Sequence, residues 1–414
     1  MAPAFPNEEG WQLIDPDDLP SVFRGPETEG TLVTSVRSLR ELIQRATGRA
    51  GDREALEDAG LAEVHPFPFL ALVGMEQVQQ ALMLAVINPR VGGVLLLGPT
   101  GVGKTTAVRS LVGVLPQVPR SLCYYGCLPE DIEEGGLEAV CAACAEKHRR
   151  GEPLAVMEPA RLLEIPYPVE PEEVWGTLDE RAARKGRHRL RRGLLGLADR
   201  QVLFVDEITR YPREIQEAVV EAASQGYYTL SRGGLTAVYR SQFVLVATLN
   251  PDRGRLPFHV LDRFGLRIPM KALEDPDARV LLWERLHAWR RSPRAFMASF
   301  EATTAALRQE IQAARDRLPR VRVPPEMVRR VTRLASLLEL PSLRAELALL
   351  EAARAHAAAE AREEVQDADV RAVAPLVLAL RRPEEAEVYF EAQEVDFASL
   401  QQALQEIFPQ EVTS

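Results

Sequence analysis

The sequence predicts an α/β protein in which helices flank a parallel β-sheet, followed by an all-helical domain. Three observations lead to this prediction. First, buried-strand patterns alternate with helical patterns, as in parallel sheets that are covered on both faces. Second, a glycine-rich loop joins one of these strands directly to a helix. Third, strand patterns stop near residue 271, and only helical patterns follow.

The elements are expected in a regular order along the chain. Alternating residues on both sides of Gly233-Gly234 predict a hairpin over 227–240. The other strands are expected at 92–98, 201–207 and 242–250, with helices at 76–87, 104–115 and 213–226. The helices of the second domain are expected at 277–291, 299–317, 325–338, 342–362 and 367–382.

The chain has 414 residues, which is too long for one ordinary hydrophobic core. We therefore expect several parts, and the α/β part should carry a cysteine-containing insertion at 121–150. The parts are an N-terminal extension (1–64), an α/β core (65–270), a helical linker and lid domain (271–382) and a C-terminal tail (383–414).

Composition and charge narrow the class of protein. Hydrophobic residues make up 46% of the chain and charged residues 27%, which is ordinary for a soluble globular protein. The net charge of −10 argues against broad, salt-driven nucleic-acid binding, which needs a basic face. No apolar run approaches the length of a membrane span, and residues 1–20 do not resemble a secretory signal. We expect a cytoplasmic protein without a membrane partner.

The glycine-rich loop fits the pattern G-x-x-x-x-G-K-[ST]. Glycines allow backbone N–H groups to surround phosphate oxygens, Lys104 should reach the β- and γ-phosphates of ATP, and the Thr105 hydroxyl should bind Mg²⁺. The sequence therefore predicts a nucleoside triphosphate site. Its expected residues are Gly98, Pro99, Thr100, Gly101, Val102, Gly103, Lys104, Thr105 and Thr106.

Polar residues follow two further strands. Asp206 and Glu207 end the run "VLFVDE", and ligands bind at this end of strands in open α/β sheets. We expect Asp206 to hold Mg²⁺ and Glu207 to polarise the attacking water. Asn250 ends "FVLVATLN" and is expected to position that water or to contact the γ-phosphate; the alternative is that it only ends the strand and starts the Asn-Pro turn.

Four cysteines lie within 22 residues, at Cys123, Cys127, Cys141 and Cys144. Four thiolates can form a tetrahedral Zn²⁺ site, and the last two cysteines have the spacing of a zinc knuckle. An iron–sulfur cluster and four reduced thiols remain alternatives. A basic run at 181–192 has two interpretations, a solvated charged helix or a docking patch for an acidic partner.

These motifs together resemble the AAA+ ATPases, and especially the ATPase (I) subunit of magnesium chelatase. The resemblance covers about 65–382. It is carried by "FPFLALVGMEQVQQAL", "INPRVGGVLLLGPTGVGKTT", "FVLVATLNPDRGRLPFHVLDRFGL", "LPRVRVPPEMV" and "SLRAELALLEAARAHAA". The chain departs from the family's usual loop at Pro99-Thr100 and Thr105.

The resemblance implies roles for three residues. Asn250 would be the sensor-1 residue, Arg263 an arginine finger for the neighbouring subunit, and Arg344 the sensor-2 arginine that contacts phosphate from the lid. The alternatives are an Asp262–Arg263 surface pair and an Arg344–Glu346 pair within the lid. The resemblance also implies that the hairpin 227–240 faces a ring pore; a plain edge hairpin is the alternative.

The resemblance further implies partners. An arginine finger acting on the next subunit requires a homo-oligomer, and a hexameric ring is the family's usual form. Its partners would be a von Willebrand A-type subunit and a large porphyrin-binding subunit that receives the metal. Two other functions stay open: a MoxR-like chaperone that matures a metalloprotein or protein complex, and a nucleic-acid motor, which the net charge disfavours.

Overall fold

The computed structural model describes residues 65–179, 190–392 and 397–408. The predicted N-terminal extension, most of the basic run at 181–192 and the last residues of the tail lie outside these ranges. Of the basic run, the described end is a strand (Leu190–Arg192), so the predicted charged helix does not extend to residue 192.

A five-stranded parallel sheet forms the centre of the α/β part. Its strands are β1 (Val94–Leu97), β4 (Leu162–Glu164), β7 (Val202–Val205), β10 (Val244–Leu249) and β11 (Leu266–Pro269). They lie in the order β11-β1-β10-β7-β4, and all neighbours are parallel. The predicted parallel α/β sheet is therefore confirmed, and β4 and β11 are strands that the sequence did not predict.

Both faces of this sheet are buried under helices. In β1, Val94 and Leu96 join an apolar cluster that includes helix α1 (Glu76–Ile87), whereas Leu95 and Leu97 join a second cluster on the opposite face. All residues of β1, β7 and β10 are buried as a result. This explains why these strands read as continuous apolar runs.

The register of the sheet brings three strand ends together. Leu97 of β1 pairs with Leu249 of β10, and Ala247 of β10 pairs with Val205 of β7. The residues that follow these strands therefore meet at one edge. Helix α2 (Lys104–Ser110) begins at this edge after the glycine-rich loop, and a 3-10 turn (Leu111–Val114) continues it.

Among its described residues, the α/β part also contains three pairs of antiparallel strands outside the central sheet. Only the last was predicted, and its turn at Gly233-Gly234 has the positive φ angles that suit glycine. The pairs are β2 (Gln117–Ser121) with β3 (Ala155–Pro159), β5 (Gly176–Leu178) with β6 (Leu190–Arg192), and β8 (Tyr227–Arg232) with β9 (Leu235–Arg240). The remaining helices of this part are α3 (Pro129–Gly135), α4 (Ala142–Arg149), α5 (Pro171–Trp175), α6 (Leu194–Leu197), α7 (Arg213–Gln225) and α8 (Phe258–Leu261).

The second domain is helical, as predicted. Its helices are α9 (Pro276–Arg291), α10 (Pro293–Arg317), α11 (Pro325–Leu337), α12 (Leu343–Ala359), α13 (Asp367–Leu378), α14 (Pro383–Ala392) and α15 (Ala398–Ile407). Helix α15, in the predicted tail, packs on α11 and α13 and buries Leu400, Ala403, Leu404 and Ile407. The described segment Ala398–Ile407 of the tail therefore belongs to the helical bundle. Among the described residues, no helix is both long and apolar enough to cross a membrane.

Hydrogen bonds fix the helical domain to the sheet domain. The amide of the buried Asn88, which follows α1, donates to the backbone carbonyl of Glu351 (3.0 Å) and to its carboxylate (2.7 Å). Arg315 of α10 donates to the Val86 carbonyl at 2.6 Å. The lid therefore packs directly against α1 and the turn after it.

Candidate nucleotide site

The glycine-rich loop has the backbone that its sequence requires. Gly101 and Gly103 have φ angles of 92° and 88°, which favour glycine. A Cβ on Gly103 would lie 2.6 Å from Met75 Cε, whereas a Cβ on Gly101 would enter open space. The loop is therefore packed on one side and open on the other, where a phosphate group would fit.

Lys104 lies in this loop with its side chain largely buried, at 8% exposure. Its ammonium donates to the backbone carbonyls of Gly98 (2.6 Å) and Pro99 (2.7 Å). Burial lowers the pKa of Lys104, and the negative charges of Glu207 and Asp206 oppose that shift. The Lys104 ammonium is therefore bonded to the loop backbone, and a phosphate oxygen can replace either carbonyl as its acceptor.

Asp206, which follows β7, meets two hydroxyl groups. Thr105 Oγ1 lies 3.1 and 3.2 Å from its two carboxylate oxygens, and Thr248 Oγ1 donates to Oδ1 at 2.7 Å. A hydroxyl and a carboxylate side by side form an oxygen donor set that suits Mg²⁺. The predicted pair Thr105 and Asp206 is thus brought together, and the two residues fit this ion.

Glu207 has an unusual backbone conformation. Its φ of 52° and ψ of 64° place a non-glycine residue in the left-handed region, which costs about 1–3 kcal/mol and is often found at functional sites. Its backbone N–H donates to Thr248 Oγ1 at 2.7 Å. The carboxylate accepts from Arg253 at 2.8 and 3.1 Å, and Arg210 lies 3.8 Å away. Hydrogen bonds to both the backbone and the side chain therefore fix the position of Glu207.

Asn250, after β10, faces the glycine-rich loop. The residue is buried at 3% exposure, and its amide nitrogen donates to Thr100 Oγ1 at 2.9 Å. Its amide oxygen accepts from the Asp252 backbone at 3.0 Å and caps the turn that follows. Both sequence interpretations of Asn250 are therefore compatible with one conformation.

Arg263 and its neighbour Asp262 differ in burial and in the number of partners that their side chains have. The Arg263 side chain is half-buried and makes no hydrogen bond or ion pair with any described residue. Asp262 is buried at 5% exposure and bonded to other residues instead. The alternative of an Asp262–Arg263 surface pair is therefore wrong.

Asp262 is the centre of a buried ionic cluster that joins the sheet domain to the lid. Its carboxylate accepts from Ser342 Oγ at 2.8 Å, and three guanidinium groups surround it. These are Arg381 at 3.3 Å, Arg344 at 3.3 Å and Arg267 at 3.5 Å. We call these five residues the Asp262 cluster. Burial raises the pKa of Asp262, but the Ser342 hydrogen bond and the arginine charges lower it more, so the pKa lies below its ordinary value.

Arg344 therefore pairs with Asp262, and the alternative pair with Glu346 is not formed. Glu346 accepts from Thr332 instead, at 2.8 Å. The Arg344 side chain is 57% exposed, unlike Arg267 and Arg381, which are fully buried. Its predicted contact with phosphate would require the guanidinium to leave Asp262.

The four cysteines also come together, with all four Sγ atoms within 4.8 Å of one another. They lie around helices α3 and α4, apart from the residues of the glycine-rich loop in sequence.

Sequence reasoning missed Thr248, Arg253 and three partners of Asp262, namely Arg267, Arg381 and Ser342. Thr248 was visible as the one hydroxyl residue in the apolar run "VLVATL" of β10. Arg267 was visible as a charge within the buried strand "LRIP". A polar side chain in a fully buried strand needs a partner, and this was the available signal. For Arg253, the sequence offers no comparable signal.

Comparisons with known proteins identify the family of the chain. A family model for the AAA domain (dynein-related subfamily) matches residues 93–264, and one for the AAA lid domain matches 325–399. The magnesium-chelatase subunit ChlI homolog of Methanocaldococcus jannaschii is 34% identical over 75% of this chain and 84% of its own length. The magnesium-chelatase 38 kDa subunit of Cereibacter sphaeroides is 35% identical over 76% of this chain and 92% of its own.

A solved structure of the complex between subunits BchI and BchD of magnesium chelatase is 31% identical. It covers 84% of this chain and 100% of that chain, with a TM-score of 0.43. The family assignment depends on the sequence relatives, each above 30% identity and matched over most of its length. The chain therefore belongs to the magnesium-chelatase I-subunit family of AAA+ ATPases and is an ATP-binding ATP hydrolase.

Proposed function

We propose that this protein is the motor subunit of a larger machine, and that it forms a hexameric ring and passes the energy of ATP hydrolysis to a partner subunit. One observation carries the proposal. Lys104, Thr105, Asp206, Glu207 and Asn250 converge at the carboxyl ends of adjacent parallel strands. This constellation supports phosphoryl transfer to water.

Lys104 and the loop backbone bind the triphosphate. The ammonium leaves the carbonyls of Gly98 and Pro99 and donates to phosphate oxygens, which carry more negative charge than the carbonyls do. The loop glycines turn their N–H groups toward the same oxygens. Binding thus exchanges hydrogen bonds that Lys104 makes to the loop backbone for hydrogen bonds to phosphate.

Thr105 and Asp206 would hold Mg²⁺, and Thr248 orients the Asp206 carboxylate through its 2.7 Å hydrogen bond. When bound, Mg²⁺ neutralises charge on the phosphate oxygens. Thr248 also bonds the Glu207 backbone, so one hydroxyl fixes the relative positions of the metal-binding carboxylate and the catalytic carboxylate.

Glu207 accepts a proton from the attacking water, and the Asn250 amide positions that water beside Thr100. For this step the water can use a free acceptor site of the Glu207 carboxylate or replace one of its two hydrogen bonds with Arg253. Arg253 is exposed on its outer side, so it can swing away without breaking buried contacts. The Arg253 pair therefore holds Glu207 in place while no water is being activated.

Arg263 completes the site of a neighbouring subunit. An unpaired, half-buried guanidinium beside a rigid ionic cluster is preorganised to donate to an anion. Such an arginine stabilises charge that develops on the γ-phosphate. Because Arg263 would act on another copy of the chain, hydrolysis should require assembly.

The test is Glu207→Gln, with Glu221→Gln on the exposed face of α7 as the matched control. The amide keeps the shape of Glu207 but cannot accept the proton, so we expect ATP to stay bound while turnover falls by about 10²–10⁴. Turnover by the control should equal that of the parent protein. Unchanged hydrolysis by Glu207→Gln would remove Glu207 from the mechanism.

The similarity to relatives named as magnesium-chelatase subunits favours one use of the energy of ATP hydrolysis. That energy would drive the insertion of a metal ion into a tetrapyrrole. In this proposal a von Willebrand A-type subunit receives the motion, and a large porphyrin-binding subunit carries out insertion. Reconstitution with porphyrin, Mg²⁺ and the candidate partners tests it. Chelation that depends on ATP and on Glu207 is the expected result. ATP-dependent release of a folded client, with no chelation in any mixture, would favour a MoxR-like chaperone.

A further inference from the structure

One group of reactive side chains in the described residues takes no part in the ATP site. Cys123, Cys127, Cys141 and Cys144 are all free thiols, and their four Sγ atoms lie within 4.8 Å of one another. Cys123 and Cys127 lie in the loop before α3, whereas Cys141 immediately precedes α4 and Cys144 lies in its first turn. Cysteines that are separated by up to 21 residues in sequence thus converge on one point.

The spacing of the sulfur atoms fits a single metal ion. Zn²⁺ binds thiolates at about 2.3 Å, so a regular tetrahedron places its four sulfur atoms about 3.8 Å apart. Sulfur atoms within 4.8 Å of one another need only a small contraction to reach this geometry. A four-iron cluster places its own cube of atoms between the cysteines and would require a wider cage.

Hydrogen bonds already point at the sulfur atoms. The Cys127 N–H donates to Cys123 Sγ at 3.2 Å, and the Cys141 N–H donates to Cys127 Sγ at 3.3 Å. The Ser121 hydroxyl lies 3.6 Å from Cys123 Sγ. Donors of this kind stabilise thiolates and orient metal ligands. Packing of neutral thiols would not require them.

The cysteines also dominate the small core of their insertion. From 122 to 150 the buried residues are Cys127, Leu128, Cys144 and Ala145, and α3 buries none. Together with Leu154, the cysteines form an apolar cluster separate from the two main ones. A segment with so little buried apolar area usually needs a metal or a disulfide for stability.

We propose that Cys123, Cys127, Cys141 and Cys144 bind one Zn²⁺ ion as a closed, architectural tetrathiolate site. On binding, each thiol releases its proton and each sulfur forms one bond to the metal, so the site carries a net charge of −2. Two arginines lie beside the loop between the first two cysteines. Arg240 donates to the Gly126 carbonyl at 3.0 Å, and the Arg192 guanidinium lies against Gly126.

The zinc site supports the base of the β8–β9 hairpin. Arg240, the last residue of β9, bonds Gly126 between the first two cysteines and forms an ion pair with Asp131 of α3. The same arginine bonds Asp199 at 2.9 Å. The metal fixes the loop that carries Gly126, and this loop in turn fixes the end of the hairpin.

Elemental analysis of the full-length protein, purified without added metal, tests the site. We expect one zinc per chain and no stoichiometric iron. Cys144→Ser should lose this zinc, whereas His148→Ala, which changes an exposed imidazole on α4, should retain it. Zinc that survives Cys144→Ser would overturn the proposal, as would stoichiometric iron.

A second measurement covers the case in which Cys144→Ser does not fold. The parent protein is stripped of metal and titrated with Co²⁺, and thiolate-to-cobalt charge-transfer absorption that saturates at one equivalent is expected. Zinc-free protein should also show faster amide exchange over 227–240 while still binding ATP. Four thiols that react with a thiol reagent in the purified protein, without metal release, would contradict the proposal. ATP binding reports on the nucleotide site independently of these outcomes.

Discussion

The Asp206 and Asp262 carboxylates lie in the same domain but in opposite electrostatic environments. Asp206 is bonded by two threonine hydroxyls, Thr105 and Thr248, so its charge is not matched by a directly bonded cation among the described residues. Asp262 is surrounded by three guanidinium groups and a serine hydroxyl. A carboxylate with hydroxyl partners is available to an incoming cation, whereas one saturated by arginines is architectural.

The same contrast separates two arginines that are close in sequence. Arg263 has no partner in the described part of the chain, whereas Arg267 is fully buried and bonded to Asp262 and to the Phe264 and Leu380 carbonyls. For these two pairs we propose that Asp206 and Arg263, which lack an oppositely charged partner among the described residues, act on a ligand, whereas Asp262 and Arg267 hold the domains together. Substitutions of Arg263, Asp262 and Arg344 test this distinction.

The largest effect is expected for Arg263→Ala. If Arg263 donates to the γ-phosphate of a neighbouring subunit, its loss should lower turnover by about 10³–10⁵. ATP affinity and melting temperature should change little, because the side chain has no internal partner to lose. Steady-state hydrolysis and nucleotide binding measure this, with the exposed Arg213→Ala on α7 as control. An unchanged turnover rate would mean that Arg263 has no role in hydrolysis.

Asp262→Ala should lower the stability of the fold more than it lowers the rate of ATP hydrolysis. The substitution leaves Arg267 and Arg381 buried without their counter-ion, which costs about 3–5 kcal/mol. A large drop in melting temperature is expected, along with faster proteolysis of the segment that joins the sheet domain to the lid. Asp316→Ala, at an exposed position of α10, is the control. Equal melting temperatures for the two variants would mean that the Asp262 cluster contributes no net stability.

The pH dependence of stability follows from the lowered pKa of Asp262. A carboxyl whose pKa is lower in the folded than in the unfolded state stabilises the fold above the unfolded pKa, about 3.9. This contribution is lost as the pH falls through the folded pKa. We expect Asp262 to contribute a constant amount to the free energy of unfolding from pH 7 to pH 5. Its contribution should fall progressively below pH 4. Melting temperatures of the parent and Asp262→Asn should therefore converge in acid; a constant difference down to the lowest pH would contradict the assignment.

The smallest effect on stability is expected for Arg344→Ala. Its guanidinium is 57% exposed, so its ion pair with Asp262 should contribute about 0–1 kcal/mol. Arg329→Ala, which breaks an exposed pair within the lid, is a matched control for stability. A fall in turnover without a fall in melting temperature would support the phosphate contact from the lid. A melting temperature as low as that of Asp262→Ala would instead place Arg344 with the structural arginines.

The sequence predicted local features well. The glycine-rich loop, the strand before it and the acidic pair Asp206-Glu207 each follow from contiguous residues, and the parallel sheet follows from their order. Most predicted ends lie within three residues of the observed ones, and helix α2 ends early because a 3-10 turn follows Ser110. The larger differences are in the helical domain, where α10 begins at Pro293 and not at 299, and α13 ends at Leu378 and not at 382.

What the sequence could not predict depends on contacts between distant segments. Asp262 looked like a surface residue because its partners Arg344 and Arg381 lie some 80 and 120 residues later in the chain. Strand β4 is only three residues long, and β11 contains Arg267 and Pro269, so neither shows the continuous apolar run of a buried strand. The Arg253–Glu207 pair likewise exists only because β7 and β10 are neighbours.

The central claim is that ATP is hydrolysed at a site shared by two copies of this chain. Mixing two inactive variants, Lys104→Ala and Arg263→Ala, tests it most directly. The first lacks the phosphate-binding ammonium but keeps its arginine, and the second has the opposite defect. Each alone should be inactive, and a mixture should recover hydrolysis because some sites combine an intact Lys104 with a neighbour's Arg263. A mixture that forms mixed assemblies yet hydrolyses no more ATP than its separate components would contradict the account.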